Sequence, residues 1–285
     1  MNRKNRILVV GANGFLGYHL CENLISDNFE VYALINKSKE RIEQLQVYKF
    51  IFWEDLLENK IEFEVIIDCA AFIPKDSTID YQRLISSNSM IPLIIAKYQQ
   101  KAHYIFASTV SIYGQGHCNK IKLNSSSKNI GAYGLSKYLG EKVVIDLFPK
   151  HSIIRFSSIY GKYMAKNTFL PRIIKSAKEK GEVTLFNCGH RRQNYLHVKD
   201  AVDYMVTSIK NEVEGIYLGV CPKEYSNLEI AKLLDEYLNF KLNFDENEDE
   251  GLSYIYDGSK SFAAFNKNEF VLLENCIGTL IHELK

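Results

Sequence analysis

Tyr133 and Lys137 stand four residues apart and are the side chains best suited to acid–base chemistry in this chain. On a helix, this spacing projects both side chains from one face. An unperturbed phenol titrates near pH ~10 and a neighbouring ammonium lowers its pKa, so Tyr133 is expected to exchange a proton with a substrate oxygen near neutral pH. The same spacing also describes a half-buried ring beside a solvated amine, and the surrounding sequence must decide between the two.

Hydroxyl side chains follow the apolar run at residues 103–107, which predicts a buried strand. Thr109 and Ser111 stand just beyond it, at the carboxyl end of the strand, where ligands bind in doubly wound sheets. The sequence therefore predicts a hydroxyl group that can reach a carbonyl oxygen of the substrate.

Three glycines, Gly11, Gly14 and Gly17, follow a predicted strand at residues 7–10. Glycines let the backbone approach a pyrophosphate closely, and a helix predicted over 14–27 presents free N–H groups and a positive dipole end to it. A glycine turn by itself is common. Its place directly after an apolar strand favours a dinucleotide site.

The end of the second predicted strand, residues 30–35, normally meets the adenosine ribose of such a cofactor. A carboxylate there accepts hydrogen bonds from the 2′-hydroxyl and repels a 2′-phosphate. Here Asn36, Lys37, Lys39 and Arg41 follow, without a carboxylate directly after the strand. This pattern favours NADP over NAD, although solvated lysines that open the next helix would look the same.

Further predicted strands at residues 48–52, 63–69, 103–107, 152–156 and 215–220 alternate with helices, of which the longest are 81–100 and 133–147. The alternation predicts an α/β fold, a Rossmann-like doubly wound parallel sheet with a smaller C-terminal α/β substrate domain. We expect residues 1–160 to form the cofactor domain, with 194–220 returning to it, and residues 161–285 to form the smaller domain. Ser226 and Glu229 predict a capping box at the start of a late helix.

Composition limits the function classes. The net charge of +1 and the mixed lysines and glutamates favour neither nucleic acid nor an anionic membrane surface as partner. The six cysteines form no C-x-x-C pair, which argues against a metal site and fits reduced thiols. No apolar segment has the length of a signal peptide or a membrane span, so we expect a cytoplasmic location.

Taken in order, these stretches resemble the extended short-chain dehydrogenase/reductase family of nucleotide-sugar epimerases, dehydratases and reductases. The resemblance covers residues 7 to about 220. It is carried by Gly11-x-x-Gly14-x-x-Gly17, Asp55-Leu56, Cys69-Ala70-Ala71, Asn88, Ser108-Thr109-x-x-x-Tyr113-Gly114, Tyr133-x-x-x-Lys137, Arg155 to Gly161, and the stretch Asn194 to Asp200.

The resemblance implies a role for each matching residue. Thr109 takes the position of the catalytic hydroxyl, Tyr133 that of the acid/base, and Lys137 that of the lysine at the nicotinamide ribose. Besides Tyr133 and Lys137, the expected cofactor-binding residues are Gly11, Asn13, Gly14, Phe15, Leu16, Gly17, Asn36, Lys37, Asp55, Leu56, Ala70, Ala71 and Asn88. The expected substrate-binding residues are Ser111, Ser158, Asn167 and Arg192.

Two departures from the family pattern lie near the expected substrate diphosphate. Ser158 stands where the family often has Asn, and Gln193 where it often has Arg, so Arg191 or Arg192 would supply the cation instead.

The residues after Thr109 limit which reactions of the family are expected. Dehydratases of this family resemble one another in having Asp-Glu there, whereas this chain has Val110-Ser111. The resemblance thus leaves NADPH-dependent reduction of a 4-keto-6-deoxy sugar nucleotide, favoured by the basic residues after Ile35, and NAD-dependent 4-epimerisation of a nucleotide sugar. A remote alternative is a non-catalytic NADP(H)-sensing protein. The resemblance also implies a homodimer through the helices at 81–100 and 132–147.

Overall fold

The computed structural model describes residues 6–36, 38–58, 61–74, 79–115, 117, 120–246 and 252–284. The strands of these residues are β1 (Arg6–Val10), β2 (Glu30–Leu34), β3 (Lys49–Ile51), β4 (Val65–Asp68), β5 (His103–Thr109), β6 (His151–Phe156), β7 (Ser158–Tyr160), β8 (Glu182–Phe186), β9 (Arg192–His197), β10 (Gly215–Gly219), β11 (Glu224–Ser226) and β12 (Lys241–Asp245). The α-helices are α1 (Phe15–Ser26), α2 (Trp53–Glu58), α3 (Tyr81–Asn88), α4 (Met90–Gln99), α5 (Ala132–Leu147), α6 (Phe169–Lys180), α7 (Val198–Lys210), α8 (Asn227–Asp235), α9 (Ser259–Ala264) and α10 (Leu273–Glu283).

Seven strands form one parallel sheet in the order β10-β6-β5-β4-β1-β2-β3. Side chains alternate across it, so that Ile7 and Val9 pack toward α1 and α7 while Leu8 and Val10 pack toward α4 and α5. Apolar residues on both faces explain why the strands read as continuous apolar runs. The predicted α/β class and the doubly wound parallel sheet are confirmed.

The predicted single helix at 81–100 is wrong, because the chain breaks at Ser89 into α3 and α4. Ser89 has φ −128° and ψ −36°, outside helical geometry. Pro92 lies in the first turn of α4; it has no N–H to donate, and its ring would clash with the carbonyl of residue 88 in a continuous helix. The break lets the carbonyl of Asn88 lie close against Gly140 of α5.

The C-terminal part adds two small sheets. In the first, β9 pairs parallel with β7 and antiparallel with β11; in the second, β8 pairs with β12. A separate apolar cluster joins α6, β8, α8 and α10. Between β9 and β11 the chain returns to the seven-stranded sheet, where α7 packs against α1 and β10 pairs with β6. The division into two domains at residue 160 remains a prediction.

Two smaller features bear on the sequence expectations. The capping box of Ser226 and Glu229 is confirmed by both reciprocal hydrogen bonds. Within the described part of the chain, no helix combines the length and apolarity needed to cross a membrane.

Candidate active site

A cavity of about 830 Å³ opens at the carboxyl ends of the central strands. It reaches from the glycine turn after β1 to the start of α5, so residues far apart in the sequence share one wall. Many predicted site residues line it: Gly11, Asn13, Gly14, Phe15, Leu16, Asn36, Ala70, Ala71, Thr109, Ser111, Tyr133 and Ser158.

The glycine turn has the geometry that a phosphate cradle requires. Gly14 donates its N–H to the Gly11 carbonyl at 2.9 Å, and Gly11 adopts φ +73°. A Cβ on Gly17 would lie 2.2 Å from the Gly11 oxygen, so that position excludes any side chain. Gly14 caps α1 without a side-chain hydrogen bond. The first N–H groups of α1 are therefore available to a ligand oxygen, and the residues fit the pyrophosphate of a dinucleotide.

Asn13 is held by the segment that follows β2. Its Oδ1 accepts the N–H groups of Arg41 at 2.9 Å and Ile42 at 3.1 Å. The Arg41 guanidinium also donates to the Asn13 carbonyl at 3.3 Å and lies over the Tyr163 ring. These contacts place a positive charge beside the glycine turn.

Neutral side chains form the cavity wall just after β2, where Asn36 and Ser38 line it. Lys39 pairs with Glu43 at 2.9 Å. The predicted contact of Lys37 lies outside the described residues. No NADP preference follows from this wall alone.

Tyr133 and Thr109 meet across the cavity wall. The Thr109 hydroxyl donates to Ser111 Oγ at 3.1 Å and lies close enough to the Tyr133 phenol to affect its pKa. The predicted lowering of the Tyr133 pKa is wrong for the free protein, because burial raises the pKa to about 12 and the nearby Thr109 hydroxyl offsets only part of that rise. At neutral pH the phenol is a proton donor.

The Lys137 ammonium explains why the expected lowering is absent. It is fully buried, donates to the Ala70 carbonyl at 3.4 Å and lies 3.9 Å from the centre of the Phe106 ring. Burial lowers the pKa of Lys137 to about 8, with Asp68, Cys69 and Glu141 acting against that shift. Its charge is thus directed toward the end of β4.

Several of the predicted cofactor-binding residues are not among those that line the cavity. Gly17 is buried in α1, and Leu56 lies in the core. Asp55 accepts the Phe52 N–H at 3.1 Å. Asn88 uses its amide on both the N–H and the carbonyl of Phe72 and on Ser136 Oγ, so it ties the end of β4 to α5.

Two predicted substrate residues also lie away from the cavity wall. Asn167 is exposed in the segment before α6. Arg192 donates to the Glu224 carbonyl at 2.8 Å and pairs with Glu229 at 3.3 Å. Its neighbour Gln193 lines the cavity and donates to Asn227 Oδ1 at 3.3 Å.

Tyr195 is a cavity residue that the sequence analysis did not predict as part of the site. It lines the cavity and is only 4% exposed, yet its hydroxyl has no hydrogen-bond partner among the described residues. Burial raises its pKa, so the hydroxyl stays protonated. A buried hydroxyl without a hydrogen-bond partner destabilises a protein unless a ligand supplies the partner. Its place in the core-like run of β9 gave no signal for this; other lining side chains not predicted include Trp53, Ile73, Ser87, Met164 and Phe169.

The described residues contain no group of three or more His, Cys, Asp or Glu that is placed to hold a metal ion.

Comparison with known proteins agrees with this geometry. The model of the NAD dependent epimerase/dehydratase family matches residues 7–218. A putative UDP-glucose 4-epimerase of Methanocaldococcus jannaschii is 25% identical over 261 residues, which cover 82% of this chain and 83% of that protein.

Solved structures show the same fold. The ADP-L-glycero-D-manno-heptose-6-epimerase of Helicobacter pylori superposes with a TM-score of 0.86 at 18% identity, covering 100% of this chain and 98% of the other. The UDP-glucuronic acid 4-epimerase of Bacillus cereus, in complex with NAD, superposes with a TM-score of 0.81 at 21% identity and covers 98% of both chains.

Proposed function

Because the chain belongs to the NAD dependent epimerase/dehydratase family and is an enzyme of the extended short-chain dehydrogenase/reductase type, we propose that it acts on a nucleotide-activated sugar as a 4-epimerase. The observation that carries this proposal is that Tyr133 and Thr109 line the same cavity as the glycine turn, with the Thr109 hydroxyl close enough to affect the pKa of the phenol. The names of similar proteins, several of them nucleotide-sugar 4-epimerases, support the substrate class.

Each residue of the site has a separate role in the proposed reaction. A bound nicotinamide dinucleotide supplies the hydride acceptor and donor. The Gly11–Gly14 turn and the first N–H groups of α1 would hold the pyrophosphate of that cofactor. Beside the positive ring of a bound oxidised nicotinamide, the pKa of Tyr133 would fall from its value in the free protein, so that the phenolate could take a proton from the sugar hydroxyl and later return it. Thr109 would hydrogen-bond the same sugar oxygen and orient it. Lys137 is proposed to reach the ribose hydroxyls of the cofactor from its place beside the Ala70 carbonyl.

The substrate is proposed to lie between Tyr133 and the residues of β7 and β9. Ser111 and Ser158 line the cavity there and offer hydroxyls to the sugar. Tyr195 offers a donor that has no partner among the described residues. Arg192 and Asn167 would have to turn toward the cavity to meet a diphosphate.

A second candidate is the NADPH-dependent reduction of a 4-keto-6-deoxy sugar nucleotide. It is favoured by two observations. The Tyr133 phenol is protonated in the free protein, which suits donation to a ketone oxygen. Among the described residues, those that line the wall after β2, Asn36 and Ser38, carry no carboxylate, and Arg41 lies beside the glycine turn, so a 2′-phosphate would meet no repulsion from them.

A homodimer is also proposed. Large apolar side chains remain exposed on three helices that pack against one another, α3, α4 and α5. Such a patch on a protein surface marks an interface, and a second copy would cover it by pairing these helices. The exposed residues are Tyr81, Ile85, Met90, Tyr98, Leu135 and Leu139.

The experiment that tests the function incubates the purified protein with a panel of nucleotide sugars and of their 4-keto-6-deoxy forms. An epimerase interconverts two sugars with no net change in absorbance at 340 nm and releases bound NAD on denaturation. A reductase consumes NADPH in proportion to product. Tyr133→Phe should lose most turnover in either case and keep cofactor affinity, whereas Tyr237→Phe, which alters an exposed tyrosine elsewhere, should behave as wild type. Near-normal turnover of Tyr133→Phe would contradict the assignment.

A further inference from the structure

A buried carboxylate, Asp68, lies at the end of β4 directly behind the cavity. It is 1% exposed. Its Oδ2 accepts the Tyr104 hydroxyl at 2.8 Å and its Oδ1 accepts the Ala70 N–H at 2.9 Å. The carbonyl oxygen of Ala70 in turn accepts a hydrogen bond from the Lys137 ammonium at 3.4 Å. Ala70 therefore links Asp68 to Lys137.

Charge balance singles out Asp68 as the counter-ion. The nearby carboxylate of Glu141 is already used by Arg155, with hydrogen bonds of 3.0 Å and 2.7 Å. Lys137 is fully buried, and an uncompensated buried charge is strongly destabilising. Asp68 is a further buried carboxylate, joined to Lys137 through the Ala70 peptide. Its charge acts most strongly against the lowering of the Lys137 pKa, while burial raises the pKa of Asp68 itself and Lys137 opposes that rise.

We propose that Asp68 is a positioning residue that balances the charge of Lys137 and, through Ala70, sets where the ammonium lies under the cofactor site. The inference deepens the proposed function and rests on it for the role of Lys137. Asp68 itself does not reach the cavity wall formed by the described residues, so it acts through Lys137 and the Ala70 peptide.

The other charged and titratable groups around Lys137 are accounted for. Cys69 directly follows the end of β4, and burial raises the pKa of its thiol, which stays protonated. Tyr104 on β5 is buried and donates to Asp68, and Phe106 on the same strand presents its ring. Glu141 lies one turn along α5 from Lys137 and is paired with Arg155 of β6. None of these replaces Asp68 as the balancing charge.

The test compares Asp68→Asn with wild type in the full-length protein by measuring the free energy of unfolding from pH 6 to pH 10. The folded pKa of Lys137, about 8, lies below that of an unfolded lysine, ~10.4, so the unfolded chain binds the extra proton in this window and Lys137 makes stability rise with pH. Removing Asp68 lowers the folded pKa further. We expect the destabilisation by Asp68→Asn to be greatest near pH 6 and to shrink as pH rises through about 8.

Two matched variants separate charge from packing. Tyr104→Phe removes a hydrogen bond but keeps the carboxylate, so its loss of stability should not change as pH rises through about 8; near pH 10 it should shrink, because the unfolded tyrosine of wild type begins to ionise there. Asp146→Asn removes an exposed carboxylate of α5 and should leave the pH dependence unchanged. A destabilisation by Asp68→Asn that is constant from pH 6 to pH 10 would overturn the proposal.

A double variant covers the case in which Asp68→Asn does not fold. Lys137→Met leaves Asp68 without its partner, and adding Asp68→Asn to it restores charge balance. The double variant should be more stable than either single variant, because the buried charges are removed together. Additive losses would count against the pairing.

Activity gives a separate readout. The alkaline limb of the pH–rate profile should move down by about one pH unit or more in Asp68→Asn, as expected when a carboxylate near a buried lysine is lost. An unmoved limb contradicts the proposal. If wild type turns over no nucleotide sugar at all, the proposed function fails, and the unfolding measurements still decide whether Asp68 balances Lys137.

Discussion

Arg155 donates to both oxygens of the buried Glu141 carboxylate, from Nε to Oε1 at 3.0 Å and from Nη2 to Oε2 at 2.7 Å. The Ser108 hydroxyl also donates to Glu141, and Arg155 donates to the Tyr113 hydroxyl at 2.8 Å. One ion pair thus joins β5, β6 and α5 directly behind Thr109. Its bidentate geometry fixes the orientation of the groups as well as their distance.

Breaking this pair should destabilise the protein strongly. Glu141→Ala leaves the Arg155 guanidinium buried without its partner, for which we expect a loss of about 3–5 kcal/mol. Urea unfolding followed by circular dichroism measures the loss. Lys175→Ala is the control, because its pair with Glu179 is exposed on α6 and should contribute nothing that the method resolves. Equal stability of Glu141→Ala and wild type would refute the structural role.

Tyr195→Phe should stabilise the free protein and weaken substrate binding. It removes a buried hydroxyl without a partner, so the unfolding free energy should not fall and should rise by up to about 1 kcal/mol. If the hydroxyl serves the substrate, KM should rise roughly five- to tenfold, the equivalent of one hydrogen bond, while kcat changes little.

Tyr204→Phe is the matched control for Tyr195→Phe. Its hydroxyl is likewise buried and without a partner among the described residues, but it lies in the core against Phe156 and Phe265. Its removal should affect stability in the same direction and leave KM unchanged. Equal effects of both variants on KM would show that Tyr195 has no special role in substrate binding.

Acid should destabilise the protein through His103. Its Nε2 lies 2.7 Å from Ser152 Oγ, and Ser152 donates its own proton to the Val213 carbonyl, so His103 must donate from Nε2. Burial lowers the pKa of His103 to about 4, below the unfolded value of ~6.5. The unfolded chain therefore binds the extra proton between these values, and stability is lost as pH falls from about 6.5 to 4.

The replacement His103→Asn keeps a donor for Ser152 but cannot be protonated. We expect it to flatten the decline of the unfolding free energy between pH 6.5 and 4 by up to about 3 kcal/mol, the full linkage of one histidine with this shift. His282, on the surface of the last helix, gives the comparison variant His282→Asn, which should keep the wild-type slope. An unchanged slope in His103→Asn would assign the acid sensitivity to other groups.

The proposed dimer can be tested with a surface substitution that should leave the fold of the monomer intact. Leu139→Lys places a charge in the centre of the exposed apolar patch of α3, α4 and α5, where a second copy would bury it. Light scattering after size-exclusion chromatography should show a dimer for wild type and a monomer for this variant. Tyr237→Lys, also at an exposed ring but distant from the patch, should remain a dimer. A wild-type monomer at high concentration would remove the proposal.

Local patterns in the sequence determine much of this protein. The apolar run before Gly11 and the spacing of Gly11, Gly14 and Gly17 predict strand, turn and helix, because these depend on side-chain alternation and on backbone freedom within a few residues. The spacing of Tyr133 and Lys137 predicts a shared helix for the same reason. The parallel sheet follows from the alternation of such elements.

The tertiary structure alone decided the electrostatics of the site. Tyr133 has a raised pKa because distant segments close over it, and Lys137 faces Ala70 and Asp68 because β4 ends beneath α5. Whether Tyr195 is a core ring or a donor in the cavity likewise depends on how β9 packs beside β7. Burial and dielectric environment arise from segments far apart in the chain, so no local pattern encodes them.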